Sequence, residues 1–102
     1  GFSYLDANKD KIKAVPVQGV SPTYDTIAGG SYPGARPLFI YVKKAHVGVI
    51  PGLAEYVAEF LKGAAKDGYL AAKGLVISPP DVSAKAAAAA KDMTPLDGSE
   101  LK

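Results

Sequence analysis

The chain has 102 residues, 48% of them hydrophobic and 22% charged, a composition that suits one small globular unit and excludes both two independent domains and a highly charged disordered chain. It contains no cysteine and a single histidine, which excludes disulfide frameworks, thiolate metal sites and multi-histidine sites. Twelve basic residues against ten acidic ones leave a net charge of +2; all the basic residues but Arg36 are scattered lysines, so no basic stripe forms and no nucleic-acid partner is expected.

No window approaches the roughly 18 consecutive apolar residues of a membrane span. The opening Gly1-Phe2-Ser3-Tyr4-Leu5 has neither an initiator methionine nor a charged-then-apolar leader. It reads as the start of a mature or truncated product whose targeting segment is missing.

Taken in chain order, residues 1–5 and 13–17 read as short extended segments, separated by a polar stretch at 6–10 that suits a turn or one frayed helical turn. Pro16 keeps the second segment out of a central strand. Ser21-Pro22-Thr23-Tyr24-Asp25-Thr26-Ile27 opens like a helix, with Ser21 as a capping hydroxyl, Pro22 at the first helical position and an acid in the opening turn. Gly29-Gly30 should stop it after about two turns. Residues 36–42 read as the clearest strand: five consecutive apolar or aromatic side chains from Leu38 to Val42 suggest burial on both faces, and Lys43-Lys44 end it.

From Ile50 the period changes to that of a helix. Ile50, Leu53, Val57, Phe60, Leu61 and Ala64 form one stripe, and Glu55, Glu59, Lys62 and Lys66 form the opposite one. Gly63 weakens this helix by roughly 1 kcal/mol relative to alanine, which predicts fraying before Gly68. Residues 69–75 read as a short helix closed by Gly74 in the left-handed conformation, with Leu75 making the accompanying apolar contact. Residues 75–77 then read as extended. Pro79-Pro80-Asp81 opens an alanine-rich helix running to Asp92, whose small face buries little area and should pack closely or lie near the surface. Met93-Thr94-Pro95 ends it, and residues 96–102 are expected to run along the surface or move freely.

Few residues carry chemistry. His46 could serve as a general base if a carboxylate oriented it, but its neighbours supply none, and a histidine serving only its loop is the competing reading. Gly29-Gly30-Ser31-Tyr32-Pro33-Gly34 lacks the lysine and hydroxyl that close a P-loop and precedes an expected strand, so turn chemistry accounts for its glycines. Ser21 and Thr23 could offer hydroxyls and amides to an oxyanion, or simply cap a helix. Arg36, the sole arginine, suits a carboxylate or phosphate; an ion pair at the strand entrance is the alternative. The aromatic residues are spread over different elements and read as core packing, not as a stacking platform. No catalytic or metal-binding residue is expected, and no cofactor.

Three stretches together resemble a known family: Gly1-Phe2-Ser3-Tyr4, Gly19-Val20-Ser21-Pro22-Thr23-Tyr24-Asp25-Thr26-Ile27, and above all Tyr32-Pro33-Gly34-Ala35-Arg36-Pro37-Leu38-Phe39-Ile40-Tyr41-Val42. They are similar to the C-terminal portion of PstS-type phosphate-binding proteins, the periplasmic substrate-binding components of phosphate ABC transporters. Gly68-Tyr69-Leu70, Gly74-Leu75-Val76 and Pro79-Pro80-Asp81 extend the likeness over nearly the whole chain. The resemblance implies an α/β fold: the C-terminal fragment of a two-lobe type II periplasmic binding protein, with short strands, one hinge-crossing strand and three to four helices. Residues 1–35 would end the second lobe, and residues 36–102 would form the hinge strand and the helical segment returning to the first lobe.

The implied function is capture of inorganic phosphate and its delivery to an ABC transporter permease, without catalysis and in the periplasm. The family's phosphate ligands come from segments upstream of these stretches, so the resemblance carries no ligand role onto the candidates Ser21, Thr23 and Arg36, which belong to its C-terminal pattern and not to its ligand signature. Binding of another oxyanion such as sulfate or molybdate, and a free-standing protein-interaction module, are the alternatives; an enzyme using His46 is more remote. A strand that has lost its neighbours also predicts self-association of the isolated chain.

Overall fold

The computed structural model describes residues 1–101, and in it helices and turns dominate. Five α-helices follow in order: α1 (Phe2–Ala7), α2 (Tyr24–Ala28), α3 (Leu53–Gly63), α4 (Tyr69–Ala72) and α5 (Pro80–Asp92), with 3-10 turns at Lys44–His46 and Gly98–Leu101. The α/β expectation is therefore met on its helical side only: among the described residues the sole β pairing is an isolated antiparallel bridge between Val17 and Val20. That bridge closes a tight turn in which Gln18 (φ 52°) and Gly19 (φ 79°) both take positive φ, the backbone pattern of a type I′ turn.

Three expected extended segments need correction. Residues 1–5 do not extend but join α1, where Phe2 and Leu5, three apart, share a face, and Asp6 pairs with Lys9 at 2.6 Å. The Asn8 side-chain amide donates to the Tyr4 carbonyl at 2.9 Å and finishes the helix. Residues 13–17 lead only into the Val17 turn. Residues 36–42 have no strand partner, and none of their backbone groups enters a hydrogen bond among the described residues. A strand is stable only as part of a ladder, and no other segment among the described residues pairs with this one.

The start of α2 also moves. Thr23, not Ser21, is the N-cap, and Pro22 precedes the helix instead of opening it. The reason is reciprocal: the Thr26 N–H donates to Thr23 Oγ1 at 3.2 Å while the Thr23 N–H donates to Thr26 Oγ1 at 2.9 Å, a capping box that Ser21 has no partner to form. Gly29 caps the other end and Gly30 (φ 75°) turns the chain away.

The second half follows its sequence closely. α3 presents Leu53, Val57, Phe60 and Leu61 inward and leaves Glu55, Glu59 and Lys62 exposed, and it packs on both α4 and α5. Val57, 4% exposed, is the one buried apolar side chain among the described residues. α3 ends at Gly63, short of Gly68 as expected; Gly63 is buried, and a side chain there would collide with the Tyr69 ring. α4 closes as expected: the Gly74 N–H donates to Ala71 O and the Leu75 N–H to Leu70 O, at 2.9 and 3.0 Å, with Gly74 at φ 94°. This is a Schellman ending. α5 begins with Pro80 in its first turn and stops at Met93 in the left-handed conformation (φ 49°). Its N-terminal end is braced by the Ser83 hydroxyl, which donates to Ser78 O at 3.2 Å.

Beyond α5 the tail returns to the helix. Lys85 Nζ meets Glu100 Oε1 at 3.0 Å, and Leu96 lines a small hollow of about 240 Å³ against Ala88 and Ala89. Lys102, the last residue of the expected tail, lies outside the described residues.

This core covers little of the molecule. The solvent-accessible surface is 7884 Å², whereas a folded monomer of 10.5 kDa should expose roughly 5,400 Å². The radius of gyration, 15.9 Å, likewise exceeds the roughly 13 Å of a closed 100-residue domain.

Candidate functional site

Two surfaces stand out, and neither has the chemistry of a closed binding pocket. The first is the unpaired segment at residues 36–42. Leu38 is 84%, Phe39 40%, Ile40 38% and Tyr41 71% exposed, so the side chains expected to be buried on both faces are not. The Phe39 and Tyr41 rings lie 6.3 Å apart between centroids, as two residues of one face do when they alternate along an extended chain. Arg36 stands exposed at the entrance. The ion pair expected for it is not found: among the described residues the pairs are Lys9 with Asp6, Lys62 with Glu59 and Lys85 with Glu100.

The second surface is an open groove of about 730 Å³ between α1, the following loop and the start of α2. Its floor is apolar, from Phe2, Leu5, Ile12, Pro22 and Tyr24, and its rim carries Asp6, Lys9, Lys13 and Thr23. The Asp6–Lys9 pair spends one acid and one base on each other. No polar side chain lining the groove is buried. It therefore lacks the desolvated, converging donors that hold a small oxyanion tightly. Reading residues 1–5 as extended concealed this groove from sequence; the three-residue spacings of Phe2 with Leu5 and Asp6 with Lys9 were the helical signal available.

The candidate ligand residues are not drawn into one constellation. Thr23 and Thr26 spend their hydroxyls on the α2 cap, where Thr26 Oγ1 also donates to the Ser21 carbonyl at 2.7 Å. Ser21 thus contributes a backbone oxygen to the cap. Arg36 lies on the separate exposed segment. His46 ends the 3-10 turn Lys44–His46, and its carbonyl accepts from the Val49 and Ile50 N–H groups at 3.1 and 2.9 Å. No carboxylate pairs with its ring among the described residues. The glycine-rich stretch at 29–34 makes turns, with the Tyr32 N–H reaching back to Thr26 O at 2.9 Å. No group of three or more metal-ligating side chains and no helix long and apolar enough to cross a membrane occurs among the described residues.

Comparison with known proteins places the chain. It is 38% identical over 80 residues to the phosphate-binding protein PstS of Staphylococcus epidermidis, a match covering 70% of this chain. The PstS of Staphylococcus haemolyticus is 43% identical over 49 residues, covering 43% of this chain and 16% of that protein.

The chain belongs with the PstS-type phosphate-binding proteins.

A protein named SphX from Synechococcus elongatus is also similar, 45% identical over 58 residues that cover 46% of this chain and 17% of its own length. No protein-family model and no solved structure matches. The match to the Staphylococcus epidermidis PstS spans 25% of that relative, so the chain corresponds to about a quarter of a PstS-type protein.

Proposed function

We propose that the chain is the C-terminal segment of a two-lobe phosphate-binding protein that captures phosphate in the periplasm and hands it to an ABC transporter permease. The observation that carries this reading is the 80-residue similarity to a protein named for phosphate binding. In this reading residues 1–35 end the second lobe, residues 36–42 cross between lobes as a strand, and the helices that follow cover the first lobe. The unpaired backbone of 36–42 supports it, because a crossing strand takes its ladder partners from the rest of the protein.

The role of the segment is then architectural: it completes the lobes that close on phosphate and catalyses nothing. Most phosphate ligands come from elsewhere in the protein, since a desolvated dianion needs charge-assisted donors converging from several directions. Phosphate is preferred over sulfate or molybdate because the PstS relatives carry it in their names. Calorimetric titration of the isolated chain with phosphate tests the division of labour. No sub-micromolar site is expected. A tight site at one phosphate per chain would overturn it, and Ser21→Ala and Arg36→Ala would then locate the ligands.

A further inference from the structure

Residues 36–42 expose two backbone edges and an apolar surface in the same place, and the geometry points to a second copy of this chain as what covers them when the chain is alone. This inference rests on the exposed edge and not on phosphate binding. We infer an antiparallel, two-fold pairing of the segment with itself, centred on Ile40.

Three observations select that occupant and register. The N–H groups of Leu38, Ile40 and Val42 form one edge and those of Phe39, Tyr41 and Lys43 the other, because alternate residues of a strand face alternate neighbours. Pro37, which has no N–H, falls on the Phe39 edge and interrupts it; the Ile40 edge is free of proline. All of these groups are without backbone partners among the described residues.

Pairing through the Ile40 edge sets Leu38 opposite Val42 of the other copy and Ile40 opposite itself. It also sets Phe39 opposite Tyr41 at non-hydrogen-bonded positions, where the backbones approach to about 4.5 Å and aromatic pairs gain most. Each chain already holds its own Phe39 and Tyr41 rings 6.3 Å apart, so two copies would assemble four aromatic rings on one face. The chain as a whole exposes roughly 2,400 Å² more than a closed monomer of its mass, surface from which an interface of about 1,200–2,000 Å² in total can draw. Pro37 and the lysine end leave the second edge blunt, which limits assembly to a dimer.

The two-fold at Ile40 supplies the test, because a charge placed there faces its own copy. Sedimentation of the full 102-residue chain over a range of concentrations should show a monomer–dimer equilibrium. Ile40→Lys and Ile40→Glu should each weaken dimerisation on the order of tenfold or more, since like charges then stand directly opposite. Mixing the two variants in equal amounts should restore a heterodimer, which also establishes that both fold. A wild-type chain that stays monomeric at every concentration would overturn the proposal. So would larger polymers in place of a dimer, dimerisation untouched by either charge, or two variants that fail to pair when mixed.

Discussion

The Tyr24 hydroxyl accepts the backbone N–H of Ile77 at 3.0 Å, joining residues 53 apart in sequence. It ties the capped start of α2 to the connection between α4 and α5. Both groups are accessible to water, so the bond contributes a net of about 0.5–1.5 kcal/mol and not the full penalty of a buried orphan. Tyr24→Phe should therefore lower stability by about that amount. The direct readout is amide hydrogen exchange at Ile77, which should accelerate while exchange within α3 changes little.

Gly63 packs directly against the Tyr69 ring. An alanine Cβ at position 63 would lie 2.5 Å from Tyr69 Cζ. In an open helix Gly→Ala stabilises by roughly 0.5–1 kcal/mol; here the collision should reverse the sign, with a cost of about 1–3 kcal/mol as the ring is displaced. Thermal unfolding of Gly63→Ala should fall below wild type, and adding Tyr69→Ala should recover the ordinary helical benefit relative to Tyr69→Ala alone.

Gly74 combines a backbone constraint with a contact. Its φ of 94° is strained for any L side chain, and a Cβ would come within 2.5 Å of Ser3 Cβ. Gly74→Ala should cost about 1–3 kcal/mol and loosen α1 from the end of α4. Chemical-shift changes centred on both Ser3 and Leu75 would show the two effects together; changes confined to residues 73–75 would deny the contact with Ser3.

Asp97 sets a pH dependence for the tail. The Ser99 backbone N–H, donating to Asp97 Oδ1 at 2.9 Å, and then the Ser99 hydroxyl hold its carboxyl below the ordinary aspartate value. A depressed folded-state pKa contributes order that is present above the unfolded value and lost as pH falls through the folded one. The Gly98–Leu101 turn should thus persist at neutral pH and open in acid. An NMR titration following the Ser99 amide should show that loss, and Asp97→Ala should abolish the pH response.

Much of the helical half could be read from sequence because its signals are local. The stripe from Leu53 to Leu61, the Gly74 ending and the Pro80 start each rest on residues within a few positions of one another. The start of α2 slipped by two residues because the choice between Ser21 and Thr23 depends on which hydroxyl Thr26 answers. Residues 36–42 carry a strand's pattern, yet a pattern specifies what a segment can pair with and not whether a partner is there. The groove beside α1 was hidden for a related reason, since the aromatic residues of Gly1-Phe2-Ser3-Tyr4 suit strand and helix alike until packing decides. No ligand site could be assigned from composition or spacing, and the structure puts Ser21 and Thr23 in the α2 cap and Arg36 on the exposed 36–42 segment.

The central claim is that these residues complete a phosphate-binding protein, and a chimaera tests it most directly. Substituting the chain's 80 matching residues for the corresponding stretch of the Staphylococcus epidermidis PstS, then titrating with phosphate in a calorimeter, should give one tight site per molecule, as in the unaltered relative. A chimaera that folds cooperatively but binds no phosphate would contradict the claim.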